Sequence, residues 1–388
     1  MLIAGEASGD LLAAELVAAL RGRVPDANFF GVGGAQMAGA GVELVHEMSR
    51  LSVVGITDVL LKLFELRRLM QKLLAAAIKR QPDVIIGVDY GGFNLRFGHA
   101  VKEYVRNNPF SKWNPKIVQF VSPQVWASRP GRAKRLAEDY DLLLSIFPFE
   151  KSWYAQRVPR LRVEFVGHPM VGRFANEDLR QSANGDLRFT RNTQDANRPK
   201  QIVLLPGSRR SELKRHLPPM LGALKMIQEK FPATRAKMVL PGEALEELAG
   251  ALITSATNLE IQVGNLSQAL TQADIAIAKT GTVTMECAFF GVPAVTLYKG
   301  SWLNYQIARH LITVKTFTMP NLLADEEVYP EFLQNDLTPE NVAGAALDLL
   351  QNEARRKKIK SQLAQVIASL GEAGAPRRAA DAILSLIE

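Results

Sequence analysis

Short apolar runs alternate with helix-length amphipathic segments along this 388-residue chain, in two series separated by a polar stretch. That pattern predicts an α/β protein of two doubly wound domains facing across a cleft. Most of the runs are continuously apolar rather than alternating, as parallel strands covered on both faces require. Several runs end in a glycine-containing turn followed at once by a helix start, the arrangement that places ligands beyond the carboxyl ends of parallel strands.

In the first series the runs are Leu2-Ile3-Ala4, Phe29-Phe30-Gly31-Val32, Val84-Ile85-Ile86-Gly87-Val88, Ile117-Val118-Gln119-Phe120-Val121, Leu142-Leu143-Leu144-Ser145-Ile146-Phe147 and Val163-Glu164-Phe165-Val166. Helices fit between them over Leu11–Leu20, Leu60–Lys79 and Phe97–Val105. The first run is short for a central strand, which suggests a truncated start. Residues 176–199 are polar and rich in turn formers and read as a linker, so residues 1–175 form the first domain. The second series runs over Ile202–Leu205, Lys237–Leu240, Ile261–Val263, Ile275–Ala278 and Ala294–Tyr298, giving a second domain at 200–350. From Pro339 onward the pattern is helical only, with 351–388 as C-terminal helices.

Net charge is +8, and it is uneven. Residues 1–170 carry 22 basic and 16 acidic side chains, the remainder 25 and 23. A basic first half points to an anionic partner, but the basic residues are dispersed among apolar helices, and no nucleic-acid-binding module is visible. The single cysteine, Cys287, excludes an internal disulfide and fits a reducing cytoplasm. The five histidines are scattered and predict no metal site. No apolar run is long enough to span a bilayer. Leu51–Lys79 interleaves leucines and Phe64 with Lys62, Arg67, Arg68, Lys72 and Lys79; it reads as a core helix with a solvated face or as a surface for anionic lipid. Ser301–Arg309 has the same ambiguity.

Two turns in the second series suit a diphosphate. Ile275–Ala278 leads through Lys279 to Thr280-Gly281-Thr282, where a helix begins; its free N–H groups and dipole favour an anion. Glu286 lies about one turn in, where a carboxylate can accept from sugar hydroxyls. Helix capping by Thr280 or Thr282 is the plainer reading. Gln201–Leu205 runs into Pro206-Gly207-Ser208-Arg209, where a guanidinium can grip phosphate and neutralise a leaving diphosphate. No lysine follows the glycines at kinase-type spacing.

In the first series Gly5-Glu6-Ala7-Ser8-Gly9-Asp10 follows the first strand; Glu6, Ser8 and Gly9 face a ligand in one reading, while Asp10 either joins them or caps a helix. Asp89, beside Gly91 and Gly92 at the end of a buried strand, occupies a general-base position, though a turn aspartate fits as well. Glu6 and His168 are the other base candidates. Gly31-Val32-Gly33-Gly34-Ala35-Gln36 follows the second strand and lacks the third glycine of a dinucleotide fingerprint, so it reads as a tight turn.

These segments, together with Ser122-Pro123-Gln124-Val125-Trp126-Ala127, Phe147-Pro148-Phe149-Glu150, Val166-Gly167-His168-Pro169 and Pro320-Asn321-Leu322-Leu323, resemble the lipid-A-disaccharide synthases over nearly the whole chain. These are inverting glycosyltransferases with two Rossmann-like domains (the glycosyltransferase-B type). The resemblance implies transfer of 2,3-diacylglucosamine from UDP-2,3-diacylglucosamine to 2,3-diacylglucosamine 1-phosphate (lipid X), giving a β-1,6 disaccharide 1-phosphate and UDP, with no metal and no cofactor. It implies Asp89 as base; Ser208, Arg209, Thr280, Gly281, Thr282, Glu286 and Asn321 as the UDP side; and Glu6, Ser8, Gly9, Asp10, Asn94, Ser122 and His168 as acceptor-side candidates. It further implies a cytoplasmic protein held peripherally at the anionic face of the inner membrane, tail helices packed back on the first domain, and room for a homo-oligomer. The chain departs from the family pattern at Gly91-Gly92, where a Pro-Asp pair is common, and at Lys279-Thr280, where Ala-Ser is usual. The competing readings are an epimerase acting on UDP-N-acetylglucosamine and a non-catalytic nucleotide-sugar or lipid-binding protein.

Overall fold

The computed structural model describes residues 1–47, 58–174, 198–253, 258–301 and 314–387, with side chains from 64 in the second segment. The linker at 176–199, apart from Arg198 and Pro199, lies outside these residues, as do 51–57 and most of Ser301–Arg309. The chain divides into two units, Met1–Asn184 with Leu370–Glu388, and Gly185–Ser369.

The first unit is built on β1 (Leu2–Ala4), α1 (Ala7–Arg21), β2 (Phe30–Gly33), α2 (Ala35–Gly39), β3 (Glu43–Glu47), α3 (Asp58–Arg80), β4 (Val84–Val88), α4 (Gly91–Asn107), β5 (Lys116–Phe120), α5 (Val125–Ser128), α6 (Arg132–Asp139), β6 (Leu142–Ser145), α7 (Pro148–Arg157) and β7 (Val163–Phe165). Its sheet is parallel throughout, in the order β3-β2-β1-β4-β5-β6-β7. β1 is only three residues long, yet it is central and fully buried. Close strand approach explains Gly31: a Cβ there would lie 1.8 Å from the Leu2 carbonyl oxygen. On α3, Leu69, Leu73 and Ala77 form an i, i+4, i+8 stripe buried in the core, whereas Arg67, Arg68, Lys72 and Lys79 are exposed. Phe64 also stands outward, 69% exposed.

The second unit contains β8 (Gln201–Leu205), α8 (Arg210–Lys230), β9 (Arg235–Leu240), α9 (Glu246–Leu252), β10 (Leu259–Val263), α10 (Leu266–Gln272), β11 (Ile275–Lys279), α11 (Thr282–Phe289), β12 (Ala294–Tyr298), α12 (Met319–Ala324), β13 (Glu331–Leu333), α13 (Pro339–Gln351) and α14 (Glu353–Ser369). Its sheet is again parallel, in the order β10-β9-β8-β11-β12-β13. Ile202, Leu204, Ile275 and Ile277 of the central strands are buried in its core with Leu217, Leu224 and Leu349 of the covering helices.

α15 (Ala375–Leu384) returns to the first unit and packs on α1. There Arg23 pairs with Asp381 at 2.7 Å, and the Arg378 guanidinium donates to the Val166 carbonyl at 2.8 Å. α14 stays with the second unit, packed on α11, α12 and α13, so the expected tail of 351–388 divides between the two units.

Candidate active site

In each sheet the strand order reverses beside the first strand, between β1 and β4 and between β8 and β11. Loops leaving such a pair diverge and open a crevice at the carboxyl edge. The candidate residues after β1 and β4, and those after β8 and β11, stand at these two points.

In the first unit the turn after β4 is conformationally unusual. Asp89 has φ 51° and Tyr90 φ 42°, two consecutive non-glycine residues in the left-handed region. Each costs on the order of 1–3 kcal/mol unless its surroundings enforce it. Here they do. The Asp89 carbonyl accepts from Asn94 Nδ2 at 2.9 Å and from Gln119 Nε2 at 2.8 Å, and the Asp89 N–H donates to the Phe120 carbonyl at 2.6 Å. The effect is to turn the half-buried Asp89 side chain to where Ser8 Oγ donates to its Oδ2 at 3.4 Å. Gly5 is required beside it: a Cβ there would lie 2.2 Å from the Tyr90 ring. Gly9 packs under the same turn, its Cβ position 3.5 Å from the Asp89 Cβ. Glu6 and Ser8 are exposed at this edge. Asp89, Glu6, Ser8 and Gly9 therefore belong to one locus.

Other acceptor-side candidates have different work. Asp10 is buried, and its carboxylate accepts from the N–H groups of Gly34 (2.7 Å), Gln36 (3.0 Å) and Met37 (3.1 Å). It caps α2, not its own helix, and fills the anion position after the glycine-rich turn. Asn94 is 2% exposed and acts on the backbone of Asp89 rather than on a ligand. Ser122 is buried and donates to Tyr154 Oη at 3.2 Å. His168 is 8% exposed; its Nδ1 accepts from the Met170 N–H at 3.2 Å, and burial lowers its pKa to about 4, so it is neutral at physiological pH.

Glu150, in the first turn of α7, is a further buried carboxylate of this unit. Its carboxylate is fully buried, accepts from Trp126 Nε1 at 2.9 Å and reaches back to the Phe147 N–H at 3.3 Å at the start of α7. Burial outweighs these bonds and raises its pKa to about 7.

In the second unit Ser208 and Arg209 lie exposed in the turn after β8, with Arg209 at the N-cap of α8. The Ser208 N–H donates to Glu212 Oε2 at 3.0 Å, and Lys279 from the end of β11 pairs with Glu212 Oε1 at 3.2 Å. Glu212 thus links both turns. Although it is half-buried, which opposes ionisation, the Lys279 ammonium and the Ser208 N–H leave its pKa below the ordinary value. Gly207 has φ 125°, and a Cβ there would lie 2.5 Å from Glu212 Oε2. Gly281, φ 144°, is the N-cap of α11; it and Thr282 are exposed, Thr280 is buried, and Thr284 Oγ1 donates to the Gly281 carbonyl at 2.7 Å. Glu286 is half-buried on α11.

His216 is a positioning residue that residue types alone did not reveal. It is fully buried, its Nδ1 lies 2.8 Å from the Pro206 carbonyl oxygen, and its Nε2 accepts from the Lys299 N–H at 3.0 Å. These partners fix a neutral ring with the proton on Nδ1 and fasten the β8 turn to the end of β12. Burial lowers its pKa.

Asn321 is placed differently from the other UDP-side candidates. Its side chain is fully buried and uses its whole hydrogen-bonding capacity on protein: Nδ2 donates to the Tyr329 carbonyl (2.8 Å) and Glu331 Oε1 (2.9 Å), and Oδ1 accepts from the Val328 (3.0 Å) and Tyr329 (2.7 Å) N–H groups. It braces the segment between α12 and β13 instead of presenting its amide to a nucleotide. Glu331 completes the brace by accepting from the Thr318 N–H and hydroxyl at 2.8 and 2.7 Å.

Comparisons with known proteins bear on both units. The family model for lipid-A-disaccharide synthetase matches residues 1–384. A lipid-A-disaccharide synthase from Myxococcus xanthus is 34% identical over 388 residues, covering 100% of this chain and 97% of its own. One from Nitrosococcus oceani is 36% identical over 389 residues, covering 100% and 96%. Among solved structures, a putative UDP-N-acetylglucosamine 2-epimerase from Listeria monocytogenes superposes with a TM-score of 0.62 at 16% identity, covering 100% of this chain and 96% of that one. The calicheamicin glycosyltransferase CalG4 does so at 0.57 and 16%, covering 100% and 96%. These two likenesses establish the two-domain α/β architecture and nothing more specific. Matched from residue 1 to 384 and more than 30% identical to relatives over its full length, the chain belongs to the lipid-A-disaccharide synthase family.

Proposed function

We propose that this UDP-sugar glycosyltransferase joins two acylated glucosamines by the reaction its family membership implies, with the first unit receiving lipid X and the second holding UDP-2,3-diacylglucosamine. The acceptor 6-hydroxyl attacks the anomeric carbon of the donor as the bond to the UDP oxygen breaks. Asp89 takes the hydroxyl proton, and the β phosphate leaves with the bonding electron pair. One displacement inverts an α donor to a β product and needs one base and a stabilised leaving group. Arg209, Ser208 and the α11 N-terminus at Gly281-Thr282 neutralise the diphosphate as its charge develops. Thr280 shapes this turn from beneath, and Glu286 serves the ribose. Glu6, Ser8 and Gly9 line the acceptor side, while Asn94 and Gln119 hold Asp89 in place. The residues named need neither metal nor cofactor for this step. The basic first half suits an anionic membrane surface at the inner face of the cytoplasmic membrane, which is where acylated substrates reside.

The observation that carries this reading is the enforced left-handed turn at Asp89-Tyr90, a strained carboxylate at a topological switch point. The test is incubation with both substrates and no added metal, with UDP and disaccharide as readouts. Asp89→Asn is expected to lower turnover by about 10²–10⁴-fold with UDP affinity retained. Turnover unchanged in that variant would remove Asp89 as the base, and absence of product from the wild-type protein would refute the reaction.

A further inference from the structure

Beside Asp89, the first unit carries a concentration of positive charge that the roles above leave unused. α4 begins two residues after Asp89, and α6 lies against it. The two helices are fastened by His99 Nδ1 to Asp139 Oδ2 at 2.9 Å, Arg106 to Asp139 Oδ1 at 3.3 Å, and Tyr140 Oη donating to the Asn94 carbonyl at 2.7 Å. Both helices connect parallel strands, so both start at the carboxyl edge of the sheet. Arg96 stands in the second turn of α4, one turn before His99. Arg132 and Arg135 stand two turns and one turn before Asp139 on α6, and Arg129 lies just ahead of α6. All four side chains are exposed, and among the described residues none has a carboxylate partner.

Arg132 feels the charges of the other three. Arg132 has its pKa lowered by partial loss of water and then by the charges of Arg129, Arg96 and Arg135, with no acidic group offsetting them. The first turn of α6 holds Arg132, Lys134 and Arg135 and no acidic residue, and its N-cap, Gly131, offers no side-chain bond. Cations at a helix N-terminus oppose the dipole, and local choices that break such a rule concentrate at functional positions. An anion reverses the balance, because it meets the guanidinium forks and the positive end of the α6 dipole together.

We propose that Arg96, Arg129, Arg132 and Arg135 form a binding site for a phosphate monoester, filled during turnover by the 1-phosphate of the acceptor sugar. The identity of the occupant rests on the reaction proposed above. In that acceptor the reacting 6-hydroxyl and the 1-phosphate project from opposite sides of one sugar ring. Their binding groups must therefore be neighbours without coinciding, as Asp89 and this cluster are along α4. The guanidinium forks supply bidentate recognition that a dispersed basic surface does not.

The test combines kinetics, direct binding and vesicle sedimentation. Arg132→Gln/Arg135→Gln is expected to raise the acceptor KM at least about tenfold while donor KM and turnover at saturation stay close to wild type. Glucosamine 1-phosphate, a soluble probe without acyl chains, is expected to bind the wild-type protein by calorimetry, with glucosamine as control. Its affinity is expected to fall in the double variant and recover in Arg132→Lys/Arg135→Lys only in part. Sedimentation with phosphatidic acid and phosphatidylcholine vesicles separates the two sources of phosphate. Lost vesicle binding with an unchanged acceptor KM assigns the cluster to lipid headgroups and overturns the proposal. No change in KM, probe binding or sedimentation makes it a solvated face and overturns it as well. If the double variant fails to fold, Arg129→Gln, which lies outside the helix, carries the same comparison. The binding arm stands apart from the reaction: wild type that binds glucosamine 1-phosphate through these arginines but makes no disaccharide refutes the reaction while retaining the phosphate site.

Discussion

Replacing Asn321 by alanine separates two accounts of that residue sharply. Its amide makes four hydrogen bonds inside the second unit, and its side chain has no exposed surface. The substitution leaves the buried N–H of Tyr329 without an acceptor, at a cost of about 1–3 kcal/mol, and leaves the Val328 N–H only its bond to the Glu326 carbonyl at 3.1 Å. It also deprives the Tyr329 carbonyl and Glu331 of a donor. The sum is on the order of 4 kcal/mol, a large share of the stability of an ordinary domain. At about 2–4 °C per kcal/mol for a unit of this size, the corresponding melting transition falls by roughly 10 °C. Two units imply two transitions, so the assay is denaturant unfolding followed by calorimetry, with the second unit identified by its shift on adding UDP. UDP titration at low temperature, where the variant is folded, completes it. The expected result is a destabilised second unit that still binds UDP when folded. A variant as stable as wild type but deficient in UDP binding would refute the brace and restore Asn321 to the nucleotide side.

Other outcomes follow from the same geometry. Gly5→Ala is expected to displace the Tyr90 ring, which a Cβ would approach to 2.2 Å, and to cut turnover at least about tenfold, whereas Gly92→Ala, with nothing within 4 Å, is expected to leave turnover intact; equal effects on steady-state rate would refute the packing argument. Arg209→Ala is expected to weaken UDP binding about 10- to 100-fold by calorimetry, and an unchanged affinity removes Arg209 from the site. Glu150 has a folded pKa raised from 4.5 to about 7, so its contribution to stability is present below pH 4.5 and lost as pH rises to about 7. Stability of the wild type minus that of Glu150→Gln is therefore expected to fall across that window by up to about 3 kcal/mol in denaturant titrations, and a flat difference would contradict it. His168 acts oppositely: with its folded pKa lowered from 6.5 to about 4, stability is lost as pH falls through that range, and His168→Gln is expected to flatten the acid limb of the same titration.

The sequence made the central strands legible because burial on both faces leaves continuous apolar runs, as in Val84–Val88 and Ile275–Lys279. It hid β3 and β13 for the converse reason. Both are edge strands, and Glu43–Glu47 alternates exposed and half-buried positions, so no apolar run marks it. The glycine turns were equally visible, since close approach and positive φ demand glycine at Gly207 and Gly281. What side chains do inside those turns was less visible. Asp10 meets its partners 24 to 27 residues away, His216 bridges to Lys299 across 83, and Asn321 depends on a carboxylate supplied by β13. Polar residues beside a glycine turn look alike in sequence whether they face solvent or hold backbone, and only the fold distinguishes Ser8 from Asp10.

The return of residues 370–388 to the first unit makes that unit discontinuous along the chain. During synthesis a ribosome releases β1 through β7 before the second unit, but α15 and the residue after it, with their contacts to α1, Arg162 and Val166, emerge after it. The second unit, encoded without interruption between them, therefore has all of its strands and helices available while the first still lacks its closing helix. Vectorial production places the completion of the earlier-made unit after that of the later-made one, and a ribosome that stalls before α15 emerges leaves the α1 face uncovered.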